Sequence, residues 1–167
     1  TDTIIEYENE GDDTVYTAIS FSLLNTANVE NLFSFSNTTG HLTLVGNNLD
    51  NFIQPSLGDC VIDGGTGSDT VYYYHKWAKN DCTIFKSGGL LKVKKGNGST
   101  DTLTNCEKIE FSDQTITISQ LTFGLIVSGF SPSDDATGVA VDSDIRITFS
   151  DSIQRGTGEI TLKTGAG

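Results

Sequence analysis

Between residues 46 and 72 the chain carries Gly, Asn and Asp at a spacing of nine: Gly46-Asn47-Asn48-Leu49-Asp50-Asn51-Phe52-Ile53-Gln54, Pro55-Ser56-Leu57-Gly58-Asp59-Cys60-Val61-Ile62-Asp63 and Gly64-Gly65-Thr66-Gly67-Ser68-Asp69-Thr70-Val71-Tyr72. This stretch lies in an acidic half. Residues 1–75 hold 11 Asp or Glu and no Lys or Arg, within a chain of net charge −12. Carboxylate and carbonyl oxygens in such surroundings suit a hard divalent cation, whereas the same charge repels nucleic acid phosphates and anionic membranes. A solubilising acidic surface is the plainer reading of the charge. Other chemistry is poorly served. His41 and His75 stand apart from each other, and no G-x-S-x-G, H-E-x-x-H or P-loop pattern occurs. Cys60, Cys82 and Cys106 form an odd set with no CxxC, which argues against zinc and allows at most one intrachain disulfide.

The elements that must position these residues read as strands. Short β-branched or aromatic runs at Ile4–Tyr7, Val15–Leu23, Asn31–Phe35, His41–Val45, Thr70–Tyr74, Cys82–Phe85, Leu90–Val93, Lys108–Phe111 and Thr115–Ile118 are mostly separated by turn formers. No segment sustains an apolar period of 3.6; Tyr72–Lys79 comes nearest and allows a short helical excursion. With 19% charged residues the chain lacks the charge-rich heptads of a coiled coil. No apolar run approaches the ~18 residues of a membrane helix. The start lacks a signal peptide and an initiator Met, as expected of a mature or excised piece of something larger.

Two longer phrases also recur. Asp13-Thr14-Val15-Tyr16 returns as Asp69-Thr70-Val71-Tyr72, with an echo at Asp101-Thr102-Leu103. Asn28-Val29-Glu30-Asn31-Leu32 returns as Asn105-Cys106-Glu107-Lys108-Ile109. The stretch Gly64–Tyr72 matches G-G-x-G-x-D-x-U-x at every specified position, the nonapeptide of calcium-binding β-rolls. On these residues, 1–120 resembles an RTX (hemolysin-type calcium-binding) β-roll segment of proteins exported by bacterial type I secretion. The departures are Pro55 and Ser56 in place of a Gly pair and Cys60 in place of an Asp. The resemblance implies six residues of turn and three of strand per nonapeptide. Turns eighteen residues apart then stack on one edge, with 64–69 over 46–51 and 55–60 on the opposite edge. It further implies one Ca²⁺ between the stacked turns, held by side-chain oxygens of Asn51 and Asp69 and by carbonyls of Gly46, Asn48, Gly65 and Gly67. The alternative is a degenerate roll whose turns close by hydrogen bonds, with Asp69 capping backbone N–H groups. The acidic turn Glu8–Asp13 reads as a cation site or as a solvated acidic turn.

A second resemblance begins at Val127. Ser131-Pro132-Ser133-Asp134-Asp135-Ala136-Thr137-Gly138-Val139-Ala140-Val141-Asp142 and Ile145-Arg146-Ile147-Thr148-Phe149-Ser150 resemble the opening of a bacterial Ig-like domain of the S-layer-associated type. The expected organisation is therefore all-β: a parallel β-roll or β-solenoid with C-terminal capping strands over 1–120, a linker at 121–127, and an incomplete Ig-like β-sandwich over 128–167.

The remaining features have competing readings. Cys82 and Cys106 fall on inward-facing slots, as buried thiols or as a disulfide in an oxidising setting; Cys60 is expected on a turn, as a free thiol. Six of the ten basic residues crowd into 76–95 (Lys76, Lys79, Lys86, Lys92, Lys94, Lys95). They read as solvated edge-strand lysines that discourage aggregation, or as a surface for an acidic neighbour such as another copy. Tyr72, Tyr73, Tyr74 and Trp77 read as alternating inward and outward residues, or as a sugar-stacking patch. The functional expectation is a non-catalytic, calcium-stabilised module of an extracellular bacterial surface protein, such as an adhesin, surface layer or filament. Its partners would be calcium and neighbouring copies or other surface modules. The alternatives are the secretion and folding region of a type I-secreted enzyme, and a carbohydrate- or ice-binding module.

Overall fold

In a computed structural model the chain divides into two compact units, Thr1–Phe123 and Gly124–Gly167. The structure describes residues 4–7, 10–35, 37–73, 76–123, 127–133, 136–140 and 142–149.

In the first unit, short runs of branched and aromatic residues form twelve strands: β1 Thr14–Thr17, β2 Phe21–Ser22, β3 Asn31–Ser34, β4 Leu42–Val45, β5 Phe52–Gln54, β6 Cys60–Asp63, β7 Thr70–Tyr72, β8 Thr83–Ser87, β9 Leu90–Lys94, β10 Thr100–Thr104, β11 Lys108–Glu110 and β12 Thr115–Thr117. They build two six-stranded sheets, ordered β1-β3-β5-β7-β11-β12 and β2-β4-β6-β10-β9-β8. From β1 to β7 successive strands alternate between the sheets, and every pairing among these strands is parallel. The chain thus crosses from one sheet to the other at each turn and returns one level on. Leu42 pairs with Cys60 and Phe52 with Thr70, a shift of eighteen residues in each case. Antiparallel pairing enters only at the margins, as the β8–β9 hairpin added beside β10 and as β12 beside β11.

Parallel strands buried between two layers need one apolar row per sheet. Val15, Leu32, Ile53, Val71, Ile109 and Ile116 lie in register on the first sheet. Leu44, Ile62, Leu103 and Leu91 do so on the second. The fully buried members of both rows belong to one core cluster. Outward residues of the first sheet form an aromatic row: Tyr16 meets Phe33 edge-on, and Phe33 stacks on Tyr72 at 5.9 Å between centroids.

Several expectations change. Ile4–Tyr7 is not a strand; the first sheet ends at β1, so this segment has no neighbour to pair with. Val15–Leu23 is broken by a bend at Ala18–Ile19 into β1 and β2, which join different sheets. The helical excursion after β7 is a 3-10 turn at Lys79–Asp81. Cys60 opens β6 with its side chain in the core, 1% exposed, and does not sit on a turn. Tyr72 faces outward, Tyr73 is buried and stacked on Phe111 at 5.5 Å, and Tyr74 and His75 lie outside the described residues.

In the second unit, β13 Val127–Ser131 and β14 Arg146–Phe149 form an antiparallel pair with a bulge between Val127 and Gly129. Phe130 and Ile145 are more than half exposed.

Candidate cation-binding turns

The turn edge of the first sheet carries a column of polar residues, each just ahead of its strand. The strand registers place Asp13, Glu30, Asn51, Asp69 and Glu107 at successive levels. The column is tied by one repeated device, in which a side-chain oxygen accepts the backbone N–H of the preceding level. Glu30 Oε2 accepts from Asp13 N–H at 2.9 Å, Asp69 Oδ1 from Asn51 N–H at 2.8 Å, and Glu107 Oε2 from Asp69 N–H at 2.7 Å. The recurring phrases of the sequence are the two halves of this device. Each pairs a D-T-V-Y strand with the Glu of an N-x-E-x-Φ phrase. Asn28 and Asn105, which open the two phrases, share the left-handed backbone, with φ of 61° and 49°. Asn tolerates that region better than other non-glycine residues.

The turns stack closely enough to require glycine. A Cβ on Gly65, whose φ is +97°, would lie 2.2 Å from Asn47 O, and one on Gly46 would lie 2.1 Å from Gly64 O. Direct hydrogen bonds close the stack: Thr66 N–H donates to Asn47 O at 3.2 Å, Ser68 N–H to Asp50 Oδ1 at 2.8 Å and Thr70 N–H to Asn51 O at 2.8 Å.

The six candidate calcium ligands therefore fall on two adjoining turns, with Asn51 directly beneath Asp69. Asn48 and Gly65 line one shallow groove with Asp63 and Asn105. Asn51 is fully buried. Its Oδ1 accepts from Asn47 N–H at 2.8 Å, and its amide donates to Val29 O and Glu30 O at 3.1 Å each. Its Oδ1 is thus committed to its own turn and its amide to the coil below. Asp69 is different: Oδ1 is engaged, but the buried Oδ2 has no hydrogen-bond partner. Burial pushes this carboxyl from 3.8 up to about 6, against the pull of the Asn51 N–H and with further push from Glu107, Asp50 and Asp63. A buried carboxylate oxygen without a partner takes up a proton or a cation. Asp69 thus fits the proposed ion, while Asn51 Oδ1 already serves the Asn47 N–H. Among the described residues no three His, Cys, Asp or Glu side chains converge on one point. Of the Glu8–Asp13 turn, Glu8 and Asn9 lie outside the described residues, and Asp13 is tied to Glu30.

The opposite edge holds a site that the sequence did not disclose. Lys95, read as a solvated lysine, is 2% exposed. Its Nζ donates to Ser56 O at 2.8 Å, to Gly58 O at 2.6 Å and to Asp101 Oδ1 at 2.8 Å. Asp101 Oδ1 also accepts from Cys60 N–H at 2.9 Å, the same relation that Asp69 bears to Asn51. The Tyr73 hydroxyl completes the carboxylate, donating to Oδ2 at 2.6 Å. Burial pushes the Asp101 carboxyl up, and the Lys95 ammonium pulls it down. The echo Asp101-Thr102-Leu103 of Asp69-Thr70-Val71 was the signal in the sequence for this second carboxylate. Nothing in the sequence pointed to its cation.

The three cysteines are separate thiols in the structure. Burial pushes Cys106 up to about 12 and raises Cys60 and Cys82. All three resist forming the reactive thiolate.

With the strand pair of the second unit in view, one comparison bears on its family. Residues 122–166 match the bacterial Ig-like domain family. This bacterial Ig-like match covers β13 and β14 and the whole region of the second resemblance. No curated protein and no solved structure matches the chain.

Proposed function

We propose that the first unit is a parallel β-roll of the RTX type, serving as a non-catalytic structural module of an extracellular bacterial surface protein that continues into Ig-like sequence. The observation that carries this reading is the parallel register of β4 with β6 and of β5 with β7, in which each turn is set over the turn eighteen residues before it. Hairpin sheets do not produce such a register, and a repeated nonapeptide does. The Ig-like match supports a surface setting, since such domains occur in bacterial surface proteins. The described polar clusters are engaged in holding coils together, which supports a structural role over a catalytic one.

Calcium enters this proposal at Asp69. A cation at the partnerless Oδ2, with turn carbonyls as further ligands, would relieve the cost of burying that carboxylate. Binding to the folded chain alone stabilises it by mass action. Acidic coils would then stay unfolded in low calcium and fold on reaching millimolar calcium outside the cell. The test is calorimetric titration of the chelated protein with Ca²⁺, paired with thermal melting of wild type and Asp69→Ala. A saturable heat and a raised melting temperature, both lost in the variant, are expected. Silence at millimolar Ca²⁺ removes the ion and leaves a roll closed by hydrogen bonds. For the surface setting, protease should reach the module on intact cells of the source bacterium; complete protection there would overturn it.

A further inference from the structure

The geometry points to the turn at residues 55–60 as a second cation site of the coil, filled from within the chain by the ammonium group of Lys95. Its donor set is that of a hard-cation site: the Ser56 and Gly58 carbonyls and the Asp101 carboxylate all lie within 2.8 Å of Nζ. Ser56 and Gly58 hold the second and fourth places of their nonapeptide, the places that Gly65 and Gly67 hold in the perfect repeat. Asp101 accepts the N–H of the residue at the sixth place of the coil below, Cys60, as Asp69 accepts that of Asn51. The two edges thus share one plan and differ in one respect. At Asp69 a carboxylate oxygen is left without a partner, whereas at Asp101 both oxygens are engaged.

The source of this cation lies in the topology. Between β7 and β10 the chain leaves the alternating path and forms the β8–β9 hairpin. Lys95 follows β9 directly and turns inward, while Lys94 beside it is exposed. The excursion therefore delivers a tethered positive charge to the turn, so that filling the site is an intramolecular event. In this chain Lys95 makes the 55–60 edge independent of external cations. The inference stands on the contacts around Nζ, not on calcium at Asp69, and either can fail without the other.

The test removes the tethered cation and supplies a free one. Lys95→Ala lacks the part of the side chain that propylammonium reproduces, and 1-propanol is its neutral counterpart. The variant should melt lower than wild type by on the order of 10 °C. Propylammonium should restore at least half of that loss, 1-propanol should not, and adding Asp101→Asn should abolish the recovery. In an Asp69→Asn background, which takes the other turn out of the measurement, Ca²⁺ should also raise the melting temperature of Lys95→Ala. Wild-type melting, equal recovery with 1-propanol, or no recovery with either cation overturns the inference. If Lys95→Ala is unfolded, NMR of the wild type decides. The Lys95 Nζ protons should exchange with water far more slowly than those of the exposed lysines, and exchange at the surface rate refutes the site.

Discussion

Glu30 and Glu107 make the same hydrogen bond at two levels of the coil: Glu30 Oε2 accepts the Asp13 N–H at 2.9 Å and Glu107 Oε2 the Asp69 N–H at 2.7 Å. The backbone group just ahead of a parallel strand has lost water and has no sheet partner, so a carboxylate one level on takes it. Glu107→Ala should therefore cost about 1–2 kcal/mol, because it leaves a shielded N–H unmade. Glu107→Gln should cost less, since the amide oxygen can still accept. Urea unfolding of the three proteins checks this, and equal losses for Ala and Gln would show that the hydrogen bond is not what Glu107 provides.

The Asp69 carboxyl fixes the sign of a pH effect. Its pKa rises from 3.8 to about 6 on folding. Between those values the folded chain holds a proton that the unfolded chain has lost, so stability falls as pH rises from about 4 to about 6. Asp69→Asn has no proton to lose. In chelator, its stability relative to wild type should rise across that window and level off above it. A constant difference from pH 4 to pH 7 would mean that the carboxyl titrates alike in both states.

Gly65 and Gly88 separate backbone conformation from close approach. Both have positive φ, +97° and +61°, but a Cβ on Gly65 meets Asn47 O while one on Gly88 meets nothing within 4 Å. Gly88→Ala should cost about 1 kcal/mol, the strain of the left-handed region alone. Gly65→Ala should cost at least about 2 kcal/mol more, because the stacked turns must part. Thermal melts of the two variants suffice to compare them.

Tyr73 partners Asp101 from the core, and Tyr73→Phe removes only the hydroxyl. With Oδ2 then unpartnered, the loss should be about 1.5–3 kcal/mol, the range for a bond to a charged group. Combined with Lys95→Met, the losses should not add, because both side chains serve one carboxylate. A double-mutant cycle in urea measures the coupling; strict additivity would show the two contacts to be independent.

The strands and the repeat were legible because they are written locally. Branched and aromatic runs between turn formers marked the strands, and the resemblance to the nonapeptide roll put Asn51 one level below Asp69. The sequence alone thus determined an all-β chain and the phrases that recur, while the edge on which the candidate turns stack was what the resemblance implied. The tertiary structure decided what those turns are joined to. A side chain's partners depend on the neighbouring coil, and the coil next to 55–60 is supplied by residues some forty positions further along the chain. For that reason Lys95 reads as one more surface lysine in the sequence, and Cys60 as a turn residue. In the folded protein Lys95 is buried against the Ser56 and Gly58 carbonyls and Asp101, because the hairpin between β7 and β10 brings it there. Spacing along the chain specifies which residues stack, but only the path of the intervening chain specifies which charge meets which carbonyl.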